Sequence, residues 1–309
     1  MALLYLLYVV IGFVLLIKGA DFFVDGAVGV ATRLGIPHIV VGLTIVAFGT
    51  SAPEAAVSIK SALSGSNGIA LGNVLGSNIM NILLILGLTS CVVVLHFQED
   101  TVKIDLPFLV FVSVLLPALG FTVHQINAPV GILFWVLLIG YLAFLVKKSL
   151  NNETEEENVK QLHPLLIVLY IVGGIAAIIL GSNLVVNGAR GIASMLGVSD
   201  RIIGLTVVAF GTSLPELMTS LTAARKGNAD IAIGNIVGSN LFNILFILGT
   251  ASIIRAIPFG PEYIVDSAVG ILAAVLLFAF AAKERKLRRI HGVIFLLIYA
   301  VYLGFLIHG

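Results

Sequence analysis

Residues 42–90 and 204–252 can be laid over each other without a gap, 162 positions apart, and more than half of the residues are identical. A fold for this chain must therefore contain one unit twice. Fainter echoes at the same offset, through Gly19/Gly181, Gly26/Gly188 and Gly35/Gly197, extend each unit upstream. The unit is apolar. Hydrophobic residues make up 59% of the chain and charged residues 11%, with a mean hydropathy of +1.13. A soluble domain carries about 25% charged residues, so the chain reads as a polytopic membrane protein.

Apolar runs recur at the roughly 20 residues that a membrane-spanning helix needs, without the strict alternation of barrel strands. They predict ten spans, at 2–31, 38–63, 68–95, 104–122, 128–147, 163–189, 199–225, 229–254, 263–282 and 289–307. The long polar stretch 147–164 divides them into a first repeat (1–148, helices 1 to 5), a linker (149–162) and a second repeat (163–309, helices 6 to 10), together one membrane domain. Five spans is an odd number, so the second repeat must cross the membrane in the opposite sense. The expected fold class is an all-α integral membrane protein of ten transmembrane helices in two inverted-topology five-helix repeats, with broken helices at the midplane.

Lysine and arginine gather on the cytoplasmic side. With both termini outside and the linker cytoplasmic, twelve of them fall inside and four outside, with Lys18 in the first span. The N-terminus lacks a basic segment and cleavage site, so it reads as a span. A formal net charge of +1 argues against nucleic acid, and no protein partner is evident beyond the lipid bilayer. Cys91, the single cysteine, reads as a packed thiol. Asp21 and Asp25 face Asn183 and Asn187 in the other copy and read as solvated, as does the ETEEE run of the linker. The NET sequon at 152–154 lies in a loop expected to be cytoplasmic.

Within each unit one glutamate stands alone in apolar surroundings: Glu54 in VAFGTSAPE and Glu216 in VAFGTSLPE. A charge at bilayer depth costs at least about 2.5–3.5 kcal/mol, and such residues mark ion pathways. No lysine or arginine recurs at matching positions, which leaves a proton or a bound cation as the partner. Pro53 and Pro215 lack an N–H, so the carbonyls at Gly49 and Gly211 are freed and the helix bends or breaks. Thr50, Ser51, Thr212 and Ser213 add hydroxyls there. In GNVLGSNIMN, Asn73, Ser77 and Asn81 stack at i, i+4 and i+8 on one helical face, and GNIVGSNLFN repeats this with Asn235, Ser239 and Asn243. The pairs Gly72/Gly76 and Gly234/Gly238 allow close helix approach. This oxygen-only set suits Ca²⁺ or Na⁺ and disfavours Mg²⁺. Two carboxylates balance one Ca²⁺ or two Na⁺.

The paired GTSAPE and GTSLPE segments, each followed by GNVLGSNIMN or GNIVGSNLFN, resemble the two alpha repeats of the sodium/calcium exchanger family in the cation/calcium antiporter superfamily, closest to its compact prokaryotic members. The likeness covers nearly the whole chain. It implies secondary active antiport of Na⁺ for Ca²⁺ by alternating access, normally Ca²⁺ export driven by the Na⁺ gradient, in a prokaryotic cell membrane. Glu54 and Glu216 would be the central ligands, Thr50, Ser51, Ser77, Thr212, Ser213 and Ser239 would complete the cation sites, and the Ala47 and Ala209 carbonyls would join them. Asn81 and Asn243 would sit at the middle of the cluster. The helices at 2–31 and 163–189 would slide across the rest. Some relatives carry aspartate where this chain has Asn243, which weakens the case for potassium co-transport. The short linker leaves no room for the calcium-sensing domain of animal exchangers. The alternative is H⁺/Ca²⁺ antiport with the same glutamates as proton carriers; related proton-coupled exchangers generally lack the GTSxPE form. A channel does not fit an inverted duplication, and no nucleophile and base pair suggests an enzyme. No cofactor is expected besides the transported ions.

Overall fold

In a computed structural model of the chain, residues 2–65, 67–151, 162–196 and 209–308 are described. The apolar runs are helical, since backbone groups in hydrocarbon must find their partners within the segment. In chain order they are α1 Ala2–Leu34, α2 His38–Thr50, α3 Ala52–Ser64, α4 Gly68–Val92, α5 Thr101–Val123, α6 Ala128–Asn151, α7 Pro164–Met195, α8 Ala209–Thr212, α9 Leu214–Arg225, α10 Ala229–Ile254, α11 Pro261–Glu284 and α12 Arg289–His308. Eight of these are long and apolar enough to cross a bilayer alone, and α2 with α3, bent by 51° at their break, makes a ninth. The remaining expected span, the seventh at 199–225, begins outside the described residues, and α8 and α9 are its described remainder. Most of the linker, with its acidic run and sequon, lies outside them as well.

The two longest helices, α1 and α7, pack antiparallel along a glycine seam. Gly12, Gly19 and Gly26 on α1 and Gly174, Gly181 and Gly188 on α7 recur every seventh residue, the period that keeps one stripe of a helix facing its partner. A Cβ at Gly12 would lie 2.7 Å from the Gly181 carbonyl oxygen, and one at Gly188 would lie 2.6 Å from that of Tyr5. Only small residues permit such an approach. The pair is peripheral: 17% of the apolar window of α1 is buried, against 94% of that of α10. The centre belongs to α4 and α10, the helices that carry the repeated asparagines.

Four short strands report the sense of the repeats. β1 (Leu95–His96) follows α4 and β3 (Ile257–Pro258) follows α10, while β2 (Gln125–Ile126) follows α5 and β4 (Lys286–Leu287) follows α11. β1 pairs with β4 and β2 with β3, both antiparallel. The end of the third span in one half thus meets the end of the fourth span in the other. Within a half those two ends lie on opposite faces of the membrane, so the halves are inverted. Beside the β1–β4 pair, Glu99 is held by Lys103 and by Arg285 at 3.0 Å, which lowers its carboxyl below the usual range. Lys148 meets Asp100 there at 2.8 Å.

Each half also carries a tyrosine–aspartate clasp, buried in the first half and part-buried in the second. Tyr141 donates to Asp105 at 2.8 Å and Tyr302 to Asp266 at 2.6 Å, tying α5 to α6 and α11 to α12. Asp21 and Asp25, expected to be solvated, are partly exposed but engaged: the Lys226 ammonium at the end of α9 lies 3.4 Å from Asp21 and 2.8 Å from Asp25. Cys91 is half-buried, its thiol 3.8 Å from the Arg289 carbonyl.

Candidate functional site

The break expected from Pro53 falls at Ser51, whose backbone (φ −80°, ψ 6°) leaves the helical region between α2 and α3. Ser213 adopts the same conformation (φ −91°, ψ 2°) between α8 and α9. Proline then occupies the second position of the new helix and glutamate the third, where unsatisfied N–H groups and the helix dipole favour negative charge. Both glutamates are 1% exposed. A π-helical turn, Gly42–Val46, precedes the first break, and further π turns begin at Asn81 and Asn243; such turns concentrate at functional sites.

The two breaks serve each other. Ser51 donates to Glu216 Oε1 at 3.0 Å, and Thr50 donates to Asn235 Oδ1 at 2.9 Å and stands 3.5 Å from the Ser239 hydroxyl. Thr212 and Ser213 stand beside Glu54 in the mirrored arrangement, although Ser213 Oγ and both Glu54 oxygens have no hydrogen bond within the described residues. Asn235 donates to the Glu216 carbonyl at 3.4 Å and to Ser220 at 2.9 Å, as Asn73 does to the Glu54 carbonyl at 3.3 Å and to Ser58 at 2.9 Å. The freed carbonyl of Gly211 accepts from Ser182 on α7 at 2.5 Å. The Ala47 carbonyl accepts from the Ser51 N–H at 3.0 Å, and Ala209 opens α8. Ser77 is buried on the asparagine face of α4.

The helices behind this cluster cross closely. A Cβ on Gly234 would lie 2.8 Å from the Ile39 carbonyl oxygen, and one on Gly238 would lie 2.7 Å from that of Leu43, so the second glycine pair packs as expected against α2. A Cβ on Gly72 or Gly76 would meet none of the described residues within 4 Å, so the close approach expected of the first glycine pair is not seen among them.

Every polar group of the cluster left without a partner among the described residues is an oxygen: Glu54 Oε1 and Oε2, Glu216 Oε2, Asn81 Oδ1, Asn243 Oδ1 and the Ser213 hydroxyl. The π turn at Asn81 packs against α9 and the one at Asn243 against α3, so the amides flank the glutamate helices. Buried acceptors without donors cost on the order of several kcal/mol unless something positive meets them. No lysine or arginine does so among the described residues. The arrangement can hold a cation through oxygen alone. The sequence reading found the glutamates, hydroxyls and stacked asparagines but missed Asn78 and Asn240, which lie one residue beyond the serines and off the stacked face; their duplication at the common offset was the available signal.

Comparison with known proteins agrees with this chemistry. The profile of the sodium/calcium exchanger protein family matches residues 4–147 and 166–308. The sodium/calcium exchanger MaX1 of Methanosarcina acetivorans is 31% identical over 96% of this chain and 97% of its own length. The inner membrane protein YrbG of Escherichia coli is 36% identical over 90% and 88%. Among solved structures, the sodium-calcium exchanger NCX_Mj soaked with zero Na⁺ and Ca²⁺ superposes with a TM-score of 0.87 at 32% identity, over 99% of this chain and all of the other. With both halves matched and the whole fold shared, the chain belongs to the sodium/calcium exchanger family.

Proposed function

We propose that this protein exchanges Na⁺ for Ca²⁺ across the membrane by alternating access through one site centred on Glu54 and Glu216. The observation that carries the reading is the set of buried oxygens on Glu54, Glu216, Asn81 and Asn243 that have no partner among the described residues. Two carboxylates neutralise one Ca²⁺ or two Na⁺, so the ions compete for the same charge, and competition is the basis of exchange. Thr50, Ser51, Ser77, Thr212, Ser213 and Ser239, with the Ala47 and Ala209 carbonyls, complete the ion shells. The relatives named for sodium and calcium support these cargoes. The first repeat spans 1–148, the linker 149–162 and the second repeat 163–309. In a prokaryotic cell membrane the termini face outward and the linker faces the cytoplasm, an orientation supported by the bias of lysine and arginine toward the β1–β4 face. The glycine-seamed pair α1 and α7 moves across the rest, and Ca²⁺ export follows the Na⁺ gradient.

Proteoliposomes loaded with Na⁺ and diluted into choline medium test this. Ca²⁺ uptake should require internal Na⁺ and vanish in Glu54→Gln and Glu216→Gln. Uptake driven by a pH gradient with no Na⁺ present would overturn sodium coupling.

A further inference from the structure

At the crossing of α4 and α10, Asn78 and Asn240 are 8% and 1% exposed and form a two-fold set of hydrogen bonds. Asn78 Nδ2 donates to the Asn240 backbone carbonyl at 3.1 Å, and Asn240 Nδ2 donates to that of Asn78 at 3.2 Å. A backbone carbonyl only accepts, so these two contacts fix which end of each carboxamide is the amino end. The oxygen ends then face the other way. There Asn78 Oδ1 accepts from Asn243 Nδ2 at 2.9 Å, and Asn240 Oδ1 accepts from Asn81 Nδ2 at 3.0 Å. Two amide oxygens do not face each other without a proton between them, so Asn81 and Asn243 must turn their amino groups toward the crossing. Their own oxygens are directed away from it, and both are buried without a partner among the described residues.

Orientation is thus relayed from two backbone carbonyls, through Asn78 and Asn240, to Asn81 and Asn243. We propose that Asn78 and Asn240 are positioning residues that set the polarity of the ion site, holding the carboxamide oxygens of Asn81 and Asn243 toward the cation and their amino groups away from it. The proposal rests on the cation-site reading above. A carboxamide turned by half a rotation would present two N–H donors to the ion, so the relay decides whether these neutral side chains attract a cation or repel it. Neither Asn78 nor Asn240 touches the ion in this scheme.

The test uses the full chain in proteoliposomes, with the half-saturating Ca²⁺ concentration of Na⁺-driven uptake as readout and gel filtration to confirm folded protein. Asn78→Leu removes the acceptor that holds Asn243 and should raise the half-saturating concentration about tenfold or more, the usual scale when the support of a metal ligand is lost. Asn243→Asp serves as a second background, measured against itself, because a carboxylate presents oxygen at either end and needs no orientation. There Asn78 Oδ1 faces a carboxylate oxygen with no proton between them, so in that background Asn78→Leu removes a contact between two acceptors and should leave the value unchanged or lower it. An equal penalty in both backgrounds would assign Asn78 to packing and overturn the proposal, as would no penalty in either. If Asn78→Leu does not fold, Asn240→Leu with and without Asn81→Asp asks the same question of the mirrored relay. Absence of Na⁺-driven uptake in the unaltered protein, or its survival in Glu54→Gln, would sink the exchanger reading instead, whatever the asparagine variants do.

Discussion

The two halves agree at the centre and disagree at the edges. Thr50 and Thr212, Ser51 and Ser213, Glu54 and Glu216, Asn78 and Asn240, Asn81 and Asn243 are identical pairs around one approximate two-fold axis. Away from it the equivalences fail. Ser182, which bonds the Gly211 carbonyl, corresponds to Ala20. Lys226, which holds Asp21 and Asp25, corresponds to Ser64, and the aspartates correspond to Asn183 and Asn187. In the proposed exchange cycle one site would meet its ions from both sides of the membrane with one chemistry, which accounts for the strict duplication of its residues. The contacts of α1 and α7 with the remaining helices serve one face each and can diverge. In an inverted pair, a contact that only one half can make favours one arrangement of the halves over its mirror image.

The comparison can be broken most directly at the glutamates. Glu54→Gln and Glu216→Gln should each reduce Ca²⁺ uptake by about a hundredfold or more, since each removes half of the site's charge; losses differing by orders of magnitude would mean that the centre is not symmetric. The glycine seam comes next. Gly12→Ala and Gly181→Ala put a methyl group against the opposing backbone and should each cost about 1–3 kcal/mol in detergent unfolding. Gly173→Ala, on an exposed surface with no neighbour within 4 Å, should be near neutral. Ser182→Ala makes the halves alike beside the second break. It should cost about 1 kcal/mol in the same assay, and Ala20→Ser should not repeat the effect in reverse. Lys226→Ser makes them alike at the end of α9. Its ion pairs are partly exposed and worth about 0–1 kcal/mol, so the ratio of Ca²⁺ affinities measured from the two membrane sides should move by about fivefold at most. The shift should shrink as salt rises toward 0.5 M, because these pairs are partly exposed and the screening length falls to roughly 5 Å.

Much of this was legible in the sequence because it is written twice. The duplication gave the inverted fold, Pro53 and Pro215 gave the broken helices, and lone glutamates in apolar surroundings pointed to the buried oxygen cluster between them. What escaped falls where those signals fail. Asp105 and Asp266, with Tyr141 and Tyr302, recur 161 residues apart because the second copy is one residue shorter after its third span, so an alignment without gaps loses them. Asn78 and Asn240 lie off the i, i+4 stripe that marked the site. The Lys226 ion pair has no echo in the other half, and a unique contact between distant segments leaves no pattern to read.

Glu216 takes its hydroxyl from the first half, Glu54 stands beside the hydroxyls of the second, and each central asparagine takes its acceptor from the other half. A five-helix chain alone would carry a glutamate, its own unused hydroxyls and an unheld amide, and no complete site. It could finish one only by meeting a second copy of itself threaded through the bilayer upside down. Joining both orientations in one chain supplies them at a fixed ratio of one to one, and it lets one copy carry Lys226 where the other carries Ser64.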